Sequence, residues 1–128
     1  LNLENEVILK GFQENPYQYI ARSDIMLLTS DFEGFGMVIP EAMALEVPIV
    51  STDVEYGPKN FIMPKRNGIL VEKDDLNGFC DAILEVYENL DTYSKYAREE
   101  AEKYSIEKSF RKHKTLFEQI AGTGNMKK

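Results

Sequence analysis

Two carboxylates, Glu33 and Glu41, stand on either side of a glycine-containing turn within Ser30–Asp53 (SDFEGFGMVIPEAMALEVPIVSTD). An ionised carboxylate accepts two hydrogen bonds at once, so one can hold a sugar's vicinal hydroxyls and a second those of a ribose. A nucleotide-sugar is therefore a chemically sensible ligand. Gly34 and Gly36 let main chain approach a ligand closely, and the free N–H groups of the helix that follows favour an anion such as a phosphate. Pro40 would break a helix interior but loses no hydrogen bond in the first turn, which sets the helix start near Gly36 or Met37. Spacing alone leaves a blander alternative open, in which Glu33 is an exposed loop residue and Glu41 a charge that suits a helix start.

For these groups to meet, a strand must end near Ser30 and deliver the chain into the turn. Ile25–Thr29 (IMLLT) has the short, apolar character of a strand covered on both faces, as do Val7–Phe12 (VILKGF), Pro48–Thr52 (PIVST) and Gly68–Val71 (GILV). Asn15 followed by Pro16 reads as an N-cap and first-turn proline for a short helix over Tyr17–Arg22. Strands separated by helical segments predict an α/β fold with a Rossmann-like parallel sheet, flanking helices and right-handed crossovers. Ligands of such sheets bind at the carboxyl ends of the strands, where residues 30–36 fall.

The second half is mostly helical. After a cap at Asp74 or Asp75, Leu76, Phe79, Cys80, Ile83, Val86, Tyr87 and Leu90 trace one helix face, which predicts a buried, inert Cys80. A further helix is predicted from about Thr92 to Tyr104. The last carries Ile106, Phe110, His113, Phe117 and Ile120 as one stripe, which predicts a packed His113 rather than a catalytic base.

Composition narrows the functional classes. A chain of 128 residues with 43% apolar residues can bury about two thirds of its unfolded surface, so its core needs no disulfide or metal. Cys80 is the single cysteine, and no Cys/His run has zinc-site spacing, so a reducing cytoplasm is the default compartment. No apolar run approaches the roughly 18 residues of a membrane span, and no signal-peptide pattern opens the chain. Residues 1–58 hold ten acidic side chains against Lys10 and Arg22, which argues against nucleic-acid binding. The same acidity means that positive charge for a diphosphate must come from elsewhere. Lys108, Arg111, Lys112 and Lys114 form either a solvated face of the last helix or, as the lesser reading, a contact with the inner face of a membrane. The chain reads as one domain over residues 1–121 and a polar tail over residues 122–128. Its opening on Leu1, with a strand-like run soon after, reads as a piece of a longer protein.

Glu33-Gly34-Phe35-Gly36, Pro40-Glu41-Ala42-Met43-Ala44 and Pro48-Ile49-Val50 together resemble the E-x7-E signature of retaining glycosyltransferases of the GT-B fold, in glycosyltransferase family 4 (glycosyl transferases group 1). Val7 to Gly11, Asn15-Pro16-Tyr17, Ser23-Asp24, Gly57-Pro58 and Asn67 to Val71 resemble the family's flanking segments in the same order, over about residues 5–120. The resemblance implies the C-terminal, donor-binding half of a GT-B enzyme, lacking its first elements. It implies transfer of a sugar from a UDP- or GDP-sugar to a sugar or lipid-linked acceptor hydroxyl, with retention, in polysaccharide or glycoconjugate synthesis. Activity would require an N-terminal acceptor domain. By position, Glu33 would contact donor-sugar hydroxyls and support the transition state. Gly34, Phe35, Gly36 and Met37 would lie against sugar and diphosphate, Glu41 would bind the ribose, and Gly11, Phe12 and Gln13 would meet the base. The nucleotide-sugar is a substrate, and neither a cofactor nor a metal is expected.

Three departures from the pattern stand out. Glu46 occupies a usual glycine, Asn60 a usual acidic residue, and the family's diphosphate-binding Arg and Lys have no counterparts at matching positions. A non-catalytic α/β nucleotide-sugar binding or interaction module is the alternative reading. A glycosidase is a more remote one, since its acid and base need facing walls of a sugar cleft.

Overall fold

The computed structural model describes residues 2–124. In chain order its elements are α1 (Tyr17–Ile20), β1 (Met26–Leu28), α2 (Val38–Ala44), β2 (Ile49–Thr52), α3 (Pro58–Phe61), β3 (Gly68–Val71), α4 (Leu76–Glu88), α5 (Leu90–Ala101), a 3-10 turn at Glu102–Tyr104 and α6 (Ile106–Gly124). The three strands form one parallel sheet in the order β1-β2-β3, the expected Rossmann-like α/β arrangement.

β2 is the centre of the sheet, buried at every residue, which is why its sequence is apolar without alternation. Successive side chains of a strand point to opposite faces, and the core divides accordingly. Ile49 joins Ile39, Ala42 and Met43 of α2, Phe61 of α3, and Ala97 and Ala101 of α5. Val50 joins Val71, Ala82 and Val86 of α4, and Tyr93 of α5. Small residues let α5 lie close on α2, and Arg98 donates a hydrogen bond to the Ala44 carbonyl at the end of α2. Asn67, 1% exposed, braces the turn into β3 by donating to the Phe61 carbonyl at 2.9 Å and accepting from the Met63 N–H at 2.7 Å. Among the described residues no helix is long and apolar enough to cross a membrane.

Several expectations are corrected. Val7–Phe12 is not a strand. It makes no ladder with β1, and Leu9 and Phe12 are 92% and 91% exposed; apolar character alone does not make a strand without a partner edge. Cys80 is exposed. The face of α4 that meets the sheet is Phe79, Ala82, Ile83 and Val86, at helical spacing, and Cys80, Leu76 and Tyr87 fall outside it. His113 is exposed too, its Nδ1 2.8 Å from the Ser109 carbonyl one turn back. The whole of the α6 stripe is exposed, with Ile106 at 83% and Phe117 at 66%. α6 also extends to Gly124, into the segment expected to be a polar tail; residues 125–128 lie outside the described residues.

Smaller shifts concern element ends. Pro16, not Asn15, holds the cap position of α1. The helix expected from Thr92 begins at Leu90 and tightens into the 3-10 turn after Ala101. α3 is a helix of four residues started by Pro58, an element the sequence reading did not include. Asp75 is the cap of α4, its carboxylate accepting from the Gly78 N–H at 2.9 Å.

Candidate functional site

β1 ends at Leu28 and the chain turns at residues 29–37 before α2 begins, so Glu33 lies beyond the carboxyl end of a sheet strand. Its carboxylate is not adrift in the loop. The Ser30 hydroxyl donates to Glu33 Oε1 at 2.6 Å, and the Ser30 carbonyl accepts from Thr52 Oγ1, also at 2.6 Å. Thr52 is 9% exposed and closes β2. Thr52 on the central strand thus holds the Ser30 main chain, and the Ser30 hydroxyl holds one oxygen of Glu33.

The loop is held from a second side by the turn that opens α3. Gly57 has φ of +89°, and a Cβ on it would stand 3.0 Å from Glu33 Cβ and 3.3 Å from the Phe35 carbonyl oxygen. Phe35 packs edge-on against Phe61, and Phe61 against Tyr104, at centroid distances of 5.1 and 4.9 Å. Gly36 has φ of +72°, a conformation that favours glycine, and its carbonyl accepts from the Ile39 N–H at 2.9 Å. The helix itself begins as expected, with Met37 in the cap position and no side chain capping it.

Glu33 and Glu41 border different cavities. Glu33 lines a cavity of about 280 Å³ with Asp31, Asp53, Tyr56 and Lys73. Glu41, half-buried in the first turn of α2, lines one of about 390 Å³ with Phe35, Met37, Tyr104, Ser109 and Lys112. The turn at residues 34–37 runs between them. Gly11, Phe12 and Gln13 are tied elsewhere: Gln13 donates to the Lys10 carbonyl at 2.8 Å and accepts from the Tyr19 hydroxyl at 3.0 Å. The structure therefore places Glu33 and Glu41 on separate cavities, while Gln13 of the Gly11 loop is bonded to Tyr19 of α1.

Three cations near the turn are engaged with carboxylates, whereas Lys112 of the Glu41 cavity makes no ion pair among the described residues. Lys73 pairs with Asp31 at 2.8 Å, and this hydrogen bond, with the Asp31 charge, holds its ammonium above the ordinary lysine range. Lys59 pairs with Asp53 at 3.0 Å, and Lys103 with the buried Glu100 at 2.6 Å. Tyr104 donates to the Asn60 carbonyl at 2.9 Å, and burial raises its hydroxyl above the ordinary range. Sequence reasoning missed Ser30, Thr52 and Lys73. A hydroxyl three residues before a loop carboxylate is a signal that could have found Ser30, but Thr52 becomes visible only once β1 and β2 are paired.

A family profile described as glycosyl transferases group 1 matches residues 1–89. The chain is 37% identical over 120 residues to a poly(ribitol-phosphate) alpha-N-acetylglucosaminyltransferase of Staphylococcus aureus, covering 91% of the chain and 24% of that protein. It is 32% identical over 106 residues to a poly(glycerol-phosphate) alpha-glucosyltransferase of Bacillus subtilis, covering 80% and 16%. Among solved structures, a TarM variant of S. aureus in complex with fondaparinux, alpha-GlcNAc-glycerol and UDP superposes with a TM-score of 0.80 at 37% identity, covering 91% of the chain and 24% of that one. The chain therefore spans a quarter or less of the length of these relatives.

Proposed function

The chain belongs to the glycosyl transferases group 1 family, and on that footing we propose that it is the donor-binding part of a retaining glycosyltransferase of family 4. The reaction is transfer of a hexosyl or N-acetylhexosaminyl group from a UDP- or GDP-sugar to the hydroxyl of a sugar or lipid-linked acceptor, on the cytoplasmic side, in surface-polymer or glycoconjugate synthesis. The observation that carries this reading is the position of Glu33: a carboxylate at the carboxyl end of the parallel sheet, with one oxygen held by Ser30 and the other available.

In this reading residues 1–121 are the donor domain and a separate acceptor domain closes over it. Glu33 accepts hydrogen bonds from donor-sugar hydroxyls and fixes the ring. The main chain of Gly34, Phe35, Gly36 and Met37 lies against sugar and diphosphate. Glu41 takes the ribose hydroxyls, and Gly11, Phe12 and Gln13 meet the base through main chain. The bond from the anomeric carbon to the diphosphate oxygen breaks, and the acceptor oxygen bonds to that carbon on the same face. The departing phosphate takes the acceptor proton. Glu33 stabilises the positive charge that develops at the ring, an electrostatic contribution of the kind that a fixed group makes best. Lys59, Lys73 and Lys103 are paired with carboxylates, which leaves Lys112 beside Glu41 and the rest of the polypeptide to supply the diphosphate's counter-charge.

The test is a donor panel of UDP-N-acetylglucosamine, UDP-glucose, UDP-galactose and GDP-mannose offered to the full-length protein with a glycerol- or ribitol-phosphate oligomer or an undecaprenyl-diphosphate sugar. The reading expects one donor to be consumed, with release of its nucleoside diphosphate and an α-linked product by proton NMR. An inverted product contradicts the mechanism, and consumption of none contradicts the assignment.

A further inference from the structure

We propose that Ser30 is a positioning residue for transfer: its hydroxyl, anchored through Thr52, orients Glu33 so that Oε2 faces the donor sugar. The inference rests on the reading of Glu33 as the sugar contact and adds to it the device that aims the carboxylate.

A glutamate on a loop has three side-chain torsions and, without a partner, samples many orientations. Its immediate neighbours offer no confinement, since Phe32 is 76% exposed and Gly34 has open space around it. Ser30 removes that freedom. A hydroxyl-to-carboxylate bond of 2.6 Å is in the short, charge-assisted range, and it engages Oε1 alone. The donor of that bond is itself fixed. Ser30 follows β1, and its carbonyl is tied across the sheet by Thr52 Oγ1, from a residue only 9% exposed on the central strand. The orientation of Glu33 is thus referred to the most deeply buried strand of the fold. The other side of the residue is bounded at Cβ by Gly57, and the bond from Ser30 to Oε1 leaves Oε2 to accept hydrogen bonds.

The geometry separates Ser30 from a residue that merely stabilises the turn. Such a residue would alter folding and nucleotide affinity together. One that aims Glu33 alters the rate of the sugar-transfer step and works only when Glu33 is present.

The experiment is a double-mutant cycle in the full-length protein, measuring kcat and KM with whichever donor of the panel the wild type consumes, the Kd for UDP or GDP, and the unfolding midpoint. Ser30→Ala is expected to lower kcat about tenfold or more, since small errors of placement are costly in rate, with the Kd for the free nucleoside diphosphate and the unfolding midpoint unchanged. Ser30→Thr restores the hydroxyl and most of the rate, and Thr52→Val gives a smaller loss than Ser30→Ala. In the Glu33→Ala background, Ser30→Ala has no further effect. Wild-type kcat in Ser30→Ala beside a crippled Glu33→Ala overturns the inference and leaves the proposed function standing, as does an equal loss in both backgrounds. Unchanged transfer by Glu33→Ala overturns the role of Glu33, and that of Ser30 with it.

Discussion

Glu33 keeps its place because the residue facing its Cβ has no side chain. A methyl group on Gly57 would press on Glu33 Cβ and the Phe35 carbonyl, and φ of +89° is costly for any L-residue. Gly57→Ala should therefore destabilise the fold by about 1–3 kcal/mol, read as a lower urea midpoint, and slow transfer more than that loss explains. At this scale the turn itself was legible: Gly36 takes a φ of +72° and Met37 the cap position of the helix, as the glycines and Pro40 predict. What the spacing could not show is that Glu33 and Glu41 border separate cavities, because that depends on how Phe35 packs against Phe61 and Tyr104. Tyr93 offers a pH test. Burial first, then the hydrogen bond to Glu85 and its charge, push its phenol from 10.0 up to about 12. The unfolded chain loses this proton first as pH rises, so the stability tied to neutral Tyr93 is whole below pH 10 and is lost on the way to about pH 12. Tyr93→Phe should flatten the fall in the urea midpoint over that range and lower the midpoint at neutral pH through loss of the hydrogen bond to Glu85.

Among the elements, α2 follows the turn and its end holds a strained residue. Leu45 closes the helix, the Glu46 N–H bonds the Met43 carbonyl at 3.0 Å, and the Val47 N–H bonds the Ala42 carbonyl at 3.0 Å. That pair of bonds is the Schellman ending, whose next residue is usually glycine in a left-handed conformation. Here it is Glu46, at φ of +65°. Glu46→Gly relieves the strain of an L-residue, partly offset by glycine's greater freedom when unfolded, and should raise stability by about 1 kcal/mol without altering turnover. A loss of stability in thermal unfolding would contradict this account of the helix end. The strands of the sheet were legible from short apolar runs to within a residue or so. Val7–Phe12 carries the same signal and forms no ladder, because pairing is a property of two segments and a run of apolar residues describes one.

For the molecule as a whole, the hydrophobic pattern gives the apolar faces but not what covers them. α4 and α6 both read as amphipathic; α4 buries Ala82 and Val86 against the sheet, whereas Ile106, Phe110 and Phe117 of α6 remain in solvent. The same reasoning misplaced Cys80 and His113, since helical spacing fixes a side chain's angle around the axis and not the width of the buried stripe. Of the basic side chains near the turn, Lys59 and Lys73 are paired with Asp53 and Asp31. The two relatives named above are more than four times as long as the stretch they share with this chain, so under the proposed function donor binding by Glu33 and Glu41 would be shared with the rest of the polypeptide. The account is decided by the rate of sugar transfer from the consumed donor by full-length Glu33→Ala, with the affinity for the free nucleoside diphosphate measured beside it. It predicts a fall in kcat of roughly a hundredfold or more at unchanged nucleotide affinity; transfer at the wild-type rate would contradict it.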